Sequence, residues 1–137
     1  MTITALDHVQ LAMPAGGEEE ARRFYEGLLG IPETPKPPAL AARGGCWFEA
    51  GTVKIHLGVE AVFVPARKAH PALVTDDLAT LTARLEVAGI AITPDNAIAG
   101  TRRCHVSDPF GNRIELIQDK ATMEQQGSRD RLLSSRP

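Results

Sequence analysis

Between residues 3 and 13 the chain alternates, with Val9, Leu11 and Met13 on one side and His8, Gln10 and Ala12 on the other. A period of two predicts a strand with one buried face and a second face carrying an imidazole and an amide. Pro14-Ala15-Gly16-Gly17 breaks it. The period then changes. Ala21, Phe24, Tyr25 and Leu28 follow helical spacing behind Glu18-Glu19-Glu20, whose charge suits a helix N-terminus, and Gly30 closes the helix. Residues 31–43 carry Pro32, Pro35, Pro37 and Pro38, and read as an extended connection with at most one edge strand. Cys46 to Ala50, a turn at Gly51, and Thr52 to Val59 read as a hairpin. In its second strand Val53, Ile55 and Leu57 oppose Lys54, His56 and Gly58.

The pattern then begins again. Residues 60–68 connect, and residues 69–75 form a strand with His70, Ala72 and Val74 on one face. Asp76 or Asp77 caps a helix whose apolar stripe is Leu78, Leu81, Leu85 and Ala88, ending at Gly89. A short strand is expected near Ile90 to Thr93, with a turn at Pro94-Asp95-Asn96. Residues 101–118 read as a hairpin turning at Asp108-Pro109-Phe110-Gly111, where proline sets φ and glycine is free to take φ > 0. Beyond the turn Arg113, Glu115 and Ile117 share one face, and Ile114 and Leu116 the other. A carboxylate in so apolar a strand needs a cation, a donor or a metal as partner. The polar segment 120–137 shows no clear periodicity and is expected to be mobile from Arg129 onward, with Leu132-Leu133 available to dock on a neighbour.

The recurrence is an internal duplication. Lys54-Ile55-His56-Leu57 aligns with Arg113-Ile114-Glu115-Leu116, and Gly30-Ile31 with Gly89-Ile90, both 59 positions on. Cys46 and Cys104 are 58 apart, and His8 and His70 are 62 apart. Two strand–helix–strand–strand–strand modules result, about 3–60 and 69–119, within one α+β domain over 1–119. Candidate ligands fall at matching places, His8 with His70 and His56 with Glu115.

A chain of 137 residues, 43% hydrophobic and 23% charged, is one ordinary globular domain. Its net charge of −2 provides no basic patch for nucleic acid and no polybasic membrane segment. There is no apolar run of transmembrane length, the polar Met1-Thr2-Ile3-Thr4 start is not expected to be a signal peptide, and two cysteines make no secretory framework. A cytoplasmic location with reduced thiols is expected.

Three stretches carry a resemblance: Asp7-His8-Val9, then Phe24-Tyr25 with Leu29-Gly30, and above all Asp108-Pro109-x-Gly111-Asn112-x-Ile114-Glu115-Leu116. With the paired βαβββ order they resemble the vicinal oxygen chelate superfamily of glyoxalases, bleomycin-resistance proteins and extradiol dioxygenases. The resemblance implies a cup-shaped mixed sheet built from paired modules, within one chain or across a homodimer. It also implies one divalent metal, with His8, His56, His70 and Glu115 at the ligand positions. Imidazoles and a carboxylate suit Zn, Ni, Co, Fe or Mn.

Four such ligands leave about two positions on an octahedral ion, enough to chelate vicinal oxygens of a small-molecule substrate. That favours Lewis-acid chemistry of isomerase or lyase type, with Glu115 as the catalytic base by family analogy. His105, on the strand face of Arg103 and Ser107, is expected to touch substrate, as are Gln10 and Arg103. Glu49 is a further candidate base. A carboxylate is usual in glyoxalases where His56 stands. The rival enzyme reading is an Fe(II) extradiol-type dioxygenase using only His8, His70 and Glu115. The rival binding reading is a metal-free, bleomycin-resistance-like protein that holds a small molecule.

Overall fold

Two four-stranded mixed sheets, one in each half of the chain, repeat a single connectivity, and helices accompany both. The computed structural model describes residues 2–135. Its strands and helices divide into two units, Met1–Pro71 with Ser107–Arg113, and Ala72–Val106 with Ile114–Pro137.

The first unit contains β1 (Val9–Met13), α1 (Glu18–Arg22), β2 (Glu33–Thr34), α2 (Pro38–Ala41), β3 (Cys46–Ala50) and β4 (Val53–Val59). Its sheet order is β1-β4-β3-β2, with β1 parallel to β4 and the other pairs antiparallel. α1 runs on as a π-helix over Arg23–Leu28. Leu29 N–H donates to Phe24 O in this stretch, five residues back. The wide turn seats two consecutive aromatics inward, Phe24 at 1% exposure and Tyr25 at 0%. Tyr25 stacks on Phe48 at 5.3 Å between ring centres, and Leu11, Met13, Ile55 and Leu57 complete this core.

The second unit contains β5 (Ala72–Thr75), α3 (Leu78–Val87), β6 (Thr93–Asp95), β7 (Arg103–Ser107), β8 (Arg113–Gln118) and α4 (Lys120–Ser134). Its order is β5-β8-β7-β6, with β5 parallel to β8 and β6 antiparallel to β7. Leu78, Leu85, Val106, Ile114 and Leu116 are buried here. Gln118, at the end of β8, fastens the start of α3. Its Oε1 accepts from Leu78 N–H at 2.9 Å and its Nε2 donates to Asp76 O at 2.7 Å. Asp77 caps the helix by accepting from Thr80 N–H.

Four expectations are revised. Pro94 and Asp95, assigned to a turn, belong to β6, an edge strand where a proline forfeits no ladder bond on its open side. The proline-rich connection holds a helical turn, α2, with Pro38 at its first position, where a missing N–H costs nothing. Ala88 leaves the apolar stripe of α3 and becomes its exposed C-cap, and Leu81 is half-buried. The polar tail is helical over Lys120–Ser134, capped by Asp119, although none of its residues is buried. That helix rests on propensity and capping rather than on an apolar stripe, which is why periodicity missed it. Arg136 and Pro137 lie outside the described residues. No helix among the described residues is long and apolar enough to cross a membrane.

Candidate functional site

The β7–β8 turn is the most densely bonded piece of the first unit. Asp108, 4% exposed, collects four donors. Oδ1 accepts from the Phe110 and Asn112 N–H groups, both at 2.9 Å. Oδ2 accepts from Tyr25 Oη at 2.7 Å and Asn112 Nδ2 at 2.9 Å. Asn112, 1% exposed, also donates to Ala12 O and accepts from Ala66 N–H. A buried carboxylate costs several kcal/mol unless its lone pairs are satisfied, and here they are. Gly111 takes φ 91°, as the turn requires. The motif that carries the resemblance therefore acts locally as a clamp from which β8 is launched.

β8 delivers Glu115 between Ile114 and Leu116. Ile114 is at 0% exposure, Glu115 at 6% and Leu116 at 1%. Arg103 of β7 reaches it, with Nη1 on Glu115 Oε1 at 2.6 Å, while Nη2 lies 2.9 Å from Asp95 Oδ2. The buried Arg103 Nε has no hydrogen-bond partner. The Glu115 carboxylate, chiefly, raises the guanidinium pKa further, so Arg103 stays a cation. The Ala97 N–H first, and then the Arg103 charge, hold the Asp95 carboxyl below the usual range. His105, 8% exposed, has Nδ1 3.8 Å from the same Asp95 oxygen. Pairing of β6 with β7 sets Asp95 opposite Arg103 and Thr93 opposite His105. Asp95 is thus a central polar residue of this group. Its assignment to a turn hid it from sequence reasoning.

Two possible metal ligands of the second unit have their donor atoms together: His105 and Glu115 each offer one, within 4.8 Å of the other. An imidazole nitrogen and a carboxylate oxygen suit a divalent transition ion. His105 was expected to line the site as a substrate contact, and it belongs to this pair. His70 belongs to the first unit, where its Nδ1 lies 2.8 Å from Lys68 O.

His8 and His56 meet within the first unit. His56, 5% exposed, lies between Trp47, stacked at 4.0 Å and 3°, and His8, stacked at 4.3 Å and 21°. Its Nε2 is 2.9 Å from Glu49 Oε1. His8 Nδ1 is 2.8 Å from Asp7 Oδ2, and Lys54 Nζ is 3.6 Å from that carboxylate. Register explains the stack: Trp47 is directly opposite His56 on β3, and Gln10 opposite it on β1. The equivalent pair in the second unit is Ala72 opposite Glu115, so His8 and His70 each precede the partner of the matched residue by two. Gln10 is exposed on the same face.

The family model of the Glyoxalase/Bleomycin resistance protein/Dioxygenase superfamily matches residues 5–116. Among solved structures, a Bacillus anthracis protein described as of the glyoxalase family is 47% identical. The match covers 87% of this chain and 98% of that one, with a TM-score of 0.83. The fosfomycin resistance protein FosX from Listeria monocytogenes is 15% identical, with 86% and 95% covered and a TM-score of 0.69. TnmS3, an antibiotic binding protein from Streptomyces sp. CB03234, is 24% identical, with 86% and 98% covered and a TM-score of 0.66. These last two likenesses are of fold. Comparison with curated proteins gave no match. The α+β fold with two equivalent mixed sheets, the Asp108–Glu115 motif and the matched 5–116 span together make this chain a member of the Glyoxalase/Bleomycin resistance protein/Dioxygenase superfamily.

Proposed function

We propose that the protein is a cytoplasmic, divalent-metal-dependent enzyme of glyoxalase type. In this reading it binds a small molecule through adjacent oxygens and moves a proton on it. The observation that carries the reading is the pair of His105 and Glu115 donor atoms, within 4.8 Å of each other in the second unit. When bound there, a divalent ion would polarise a substrate oxygen and acidify the neighbouring C–H. Glu115 would accept the proton. Arg103, bonded to Glu115 and Asp95, fixes the orientation of that carboxylate. Burial of Ile114 and Leu116 on the opposite face anchors the strand that carries it.

Metal analysis of protein purified without chelator tests this. Stoichiometric metal is expected in wild type and in His56→Ala, and loss in Glu115→Ala and His105→Ala. Loss in His56→Ala with retention in His105→Ala would replace this ligand set by the one built on His8, His56, His70 and Glu115. The rival set of His8, His70 and Glu115 has the two histidines and one carboxylate of the non-haem iron oxygenases. Oxygen uptake with a catechol in the iron-loaded protein would move the assignment to a dioxygenase.

A second reading, a metal-free small-molecule binder, is favoured by one observation. The Arg103 guanidinium already neutralises Glu115 at 2.6 Å. Absence of metal from wild type, even after incubation with Zn, Ni, Co, Fe or Mn, would select it. As a further part of the proposal the protein is a homodimer, since Ile3, Leu6 and Val62 are 79%, 78% and 82% exposed and a second copy would cover them. A monomeric mass in solution would overturn that part.

A further inference from the structure

We infer that the first unit binds an organic oxyanion with a short apolar chain, through Lys36, Arg43 and Gln10. The inference rests on the small-molecule reading above and names the class of molecule. Two cavities of the first unit share Gln10 as a wall. One, of about 270 Å³, is lined by Gln10, Lys36, Leu40, Arg43 and Trp47. The other, of about 350 Å³, is lined largely by apolar groups, Val9, Leu11, Val64 and Pro71 among them, and it includes His70.

The polar end is built for an anion. Gly44 and Gly45, at φ 73° and 84°, set the loop after Arg43 against β4, and a Cβ on Gly45 would stand 2.1 Å from Leu57 O. That tight seat fixes where Arg43 and Lys36 sit. Lys36 Nζ donates to Gly44 O, which uses one of its three donors. Arg43 has no ion-pair partner among the described residues. The nearby carboxylate, Glu18, accepts from Gly45 N–H at 3.0 Å through Oε1; that bond first, and the Arg22 and Lys36 charges after it, hold its pKa down. Gln10 keeps its amide beside Gly58, where a Cβ would come within 2.5 Å of Nε2, so the glycine makes room for it. Three donor side chains with capacity left surround one cavity, and its neighbour offers an apolar wall. A carboxylate or phosphonate head with a short alkyl chain satisfies both.

Trp47 is the only tryptophan and lines the polar cavity, so its fluorescence reads binding directly. EDTA-treated protein is titrated with pentanoate, butylphosphonate and neutral pentanol, with calorimetry in parallel to detect binding that leaves Trp47 unperturbed. Saturable binding of at least one anion is expected, weakened by salt, with none for pentanol. Which anion binds distinguishes a carboxylate from a phosphonate substrate. Arg43→Gln should weaken anion binding about tenfold, the loss of one charge-assisted bond, while Arg129→Gln on α4 leaves it unchanged. Equal binding of pentanol, an unshifted Arg43→Gln, or no binding of either anion would overturn the inference. Because metal is absent throughout, a negative result here with stoichiometric metal in the purified protein sinks this inference alone. Anion binding by a protein that never takes up metal sinks the metal reading alone.

Discussion

At the scale of single residues, the best-supported group is the Asp108 clamp, and its energetics can be measured. Tyr25→Phe removes one of four donors and leaves the other three, so a loss of about 1–2 kcal/mol in urea unfolding is expected. Two buried acids also make the fold sensitive to alkali. Burial first, and then the Asp108 charge, raise the Tyr25 phenol well above its ordinary 10, and burial pushes the Cys46 thiol from 9 up to about 11. Both groups are neutral when protonated, so above their ordinary pKa the unfolded chain releases protons that the folded chain retains. Their contribution is therefore complete below about pH 9 and is lost as pH rises through about 11 and beyond. The urea midpoint should fall between pH 9 and 11, and less steeply in Cys46→Ala. A flat profile over that window would show that neither group is held neutral by the fold.

At the scale of elements, the duplication accounts for much of the arrangement. β1 on β4 and β5 on β8 are the same parallel pairing, and Gln10–His56 and Ala72–Glu115 are equivalent partners. Offsets near 59 made this order readable without coordinates, because strands of one face must keep their register or turn their apolar side outward. What the pattern could not supply is how each module adjusts its joints. Gly45→Ala should destabilise by about 3 kcal/mol, since its Cβ would meet the Leu57 carbonyl. Gly51→Ala, at φ 59° with open space, should cost only about 1 kcal/mol. Thermal melts of the two variants compare a steric conflict with a purely conformational one. Asp77→Ala, removing the α3 cap, should cost about 1 kcal/mol. In α4, which buries nothing, amide exchange should be much faster than in β4 or β8.

At the scale of the whole molecule, the proposed ion should act as a stabiliser. An ion that binds the folded chain alone, at a hundred times its dissociation constant, adds about 2.7 kcal/mol. Melting temperature should rise with added metal in wild type and stay unchanged in Glu115→Ala. A rise of equal size in both would place the ion elsewhere. By itself the sequence determined the fold class, the doubling, the turn at Asp108–Gly111 and the burial of Glu115, because periodicity and turn chemistry are local properties of the chain. Only tertiary structure decided what each polar side chain meets. His56 stacks between Trp47 and His8, Asp95 turns out to pair with Arg103 and to face His105, and His105 stands beside Glu115. Strand parity states which face a side chain is on. Its partner on that face is set by neighbouring strands that are distant in sequence, and no local pattern records them.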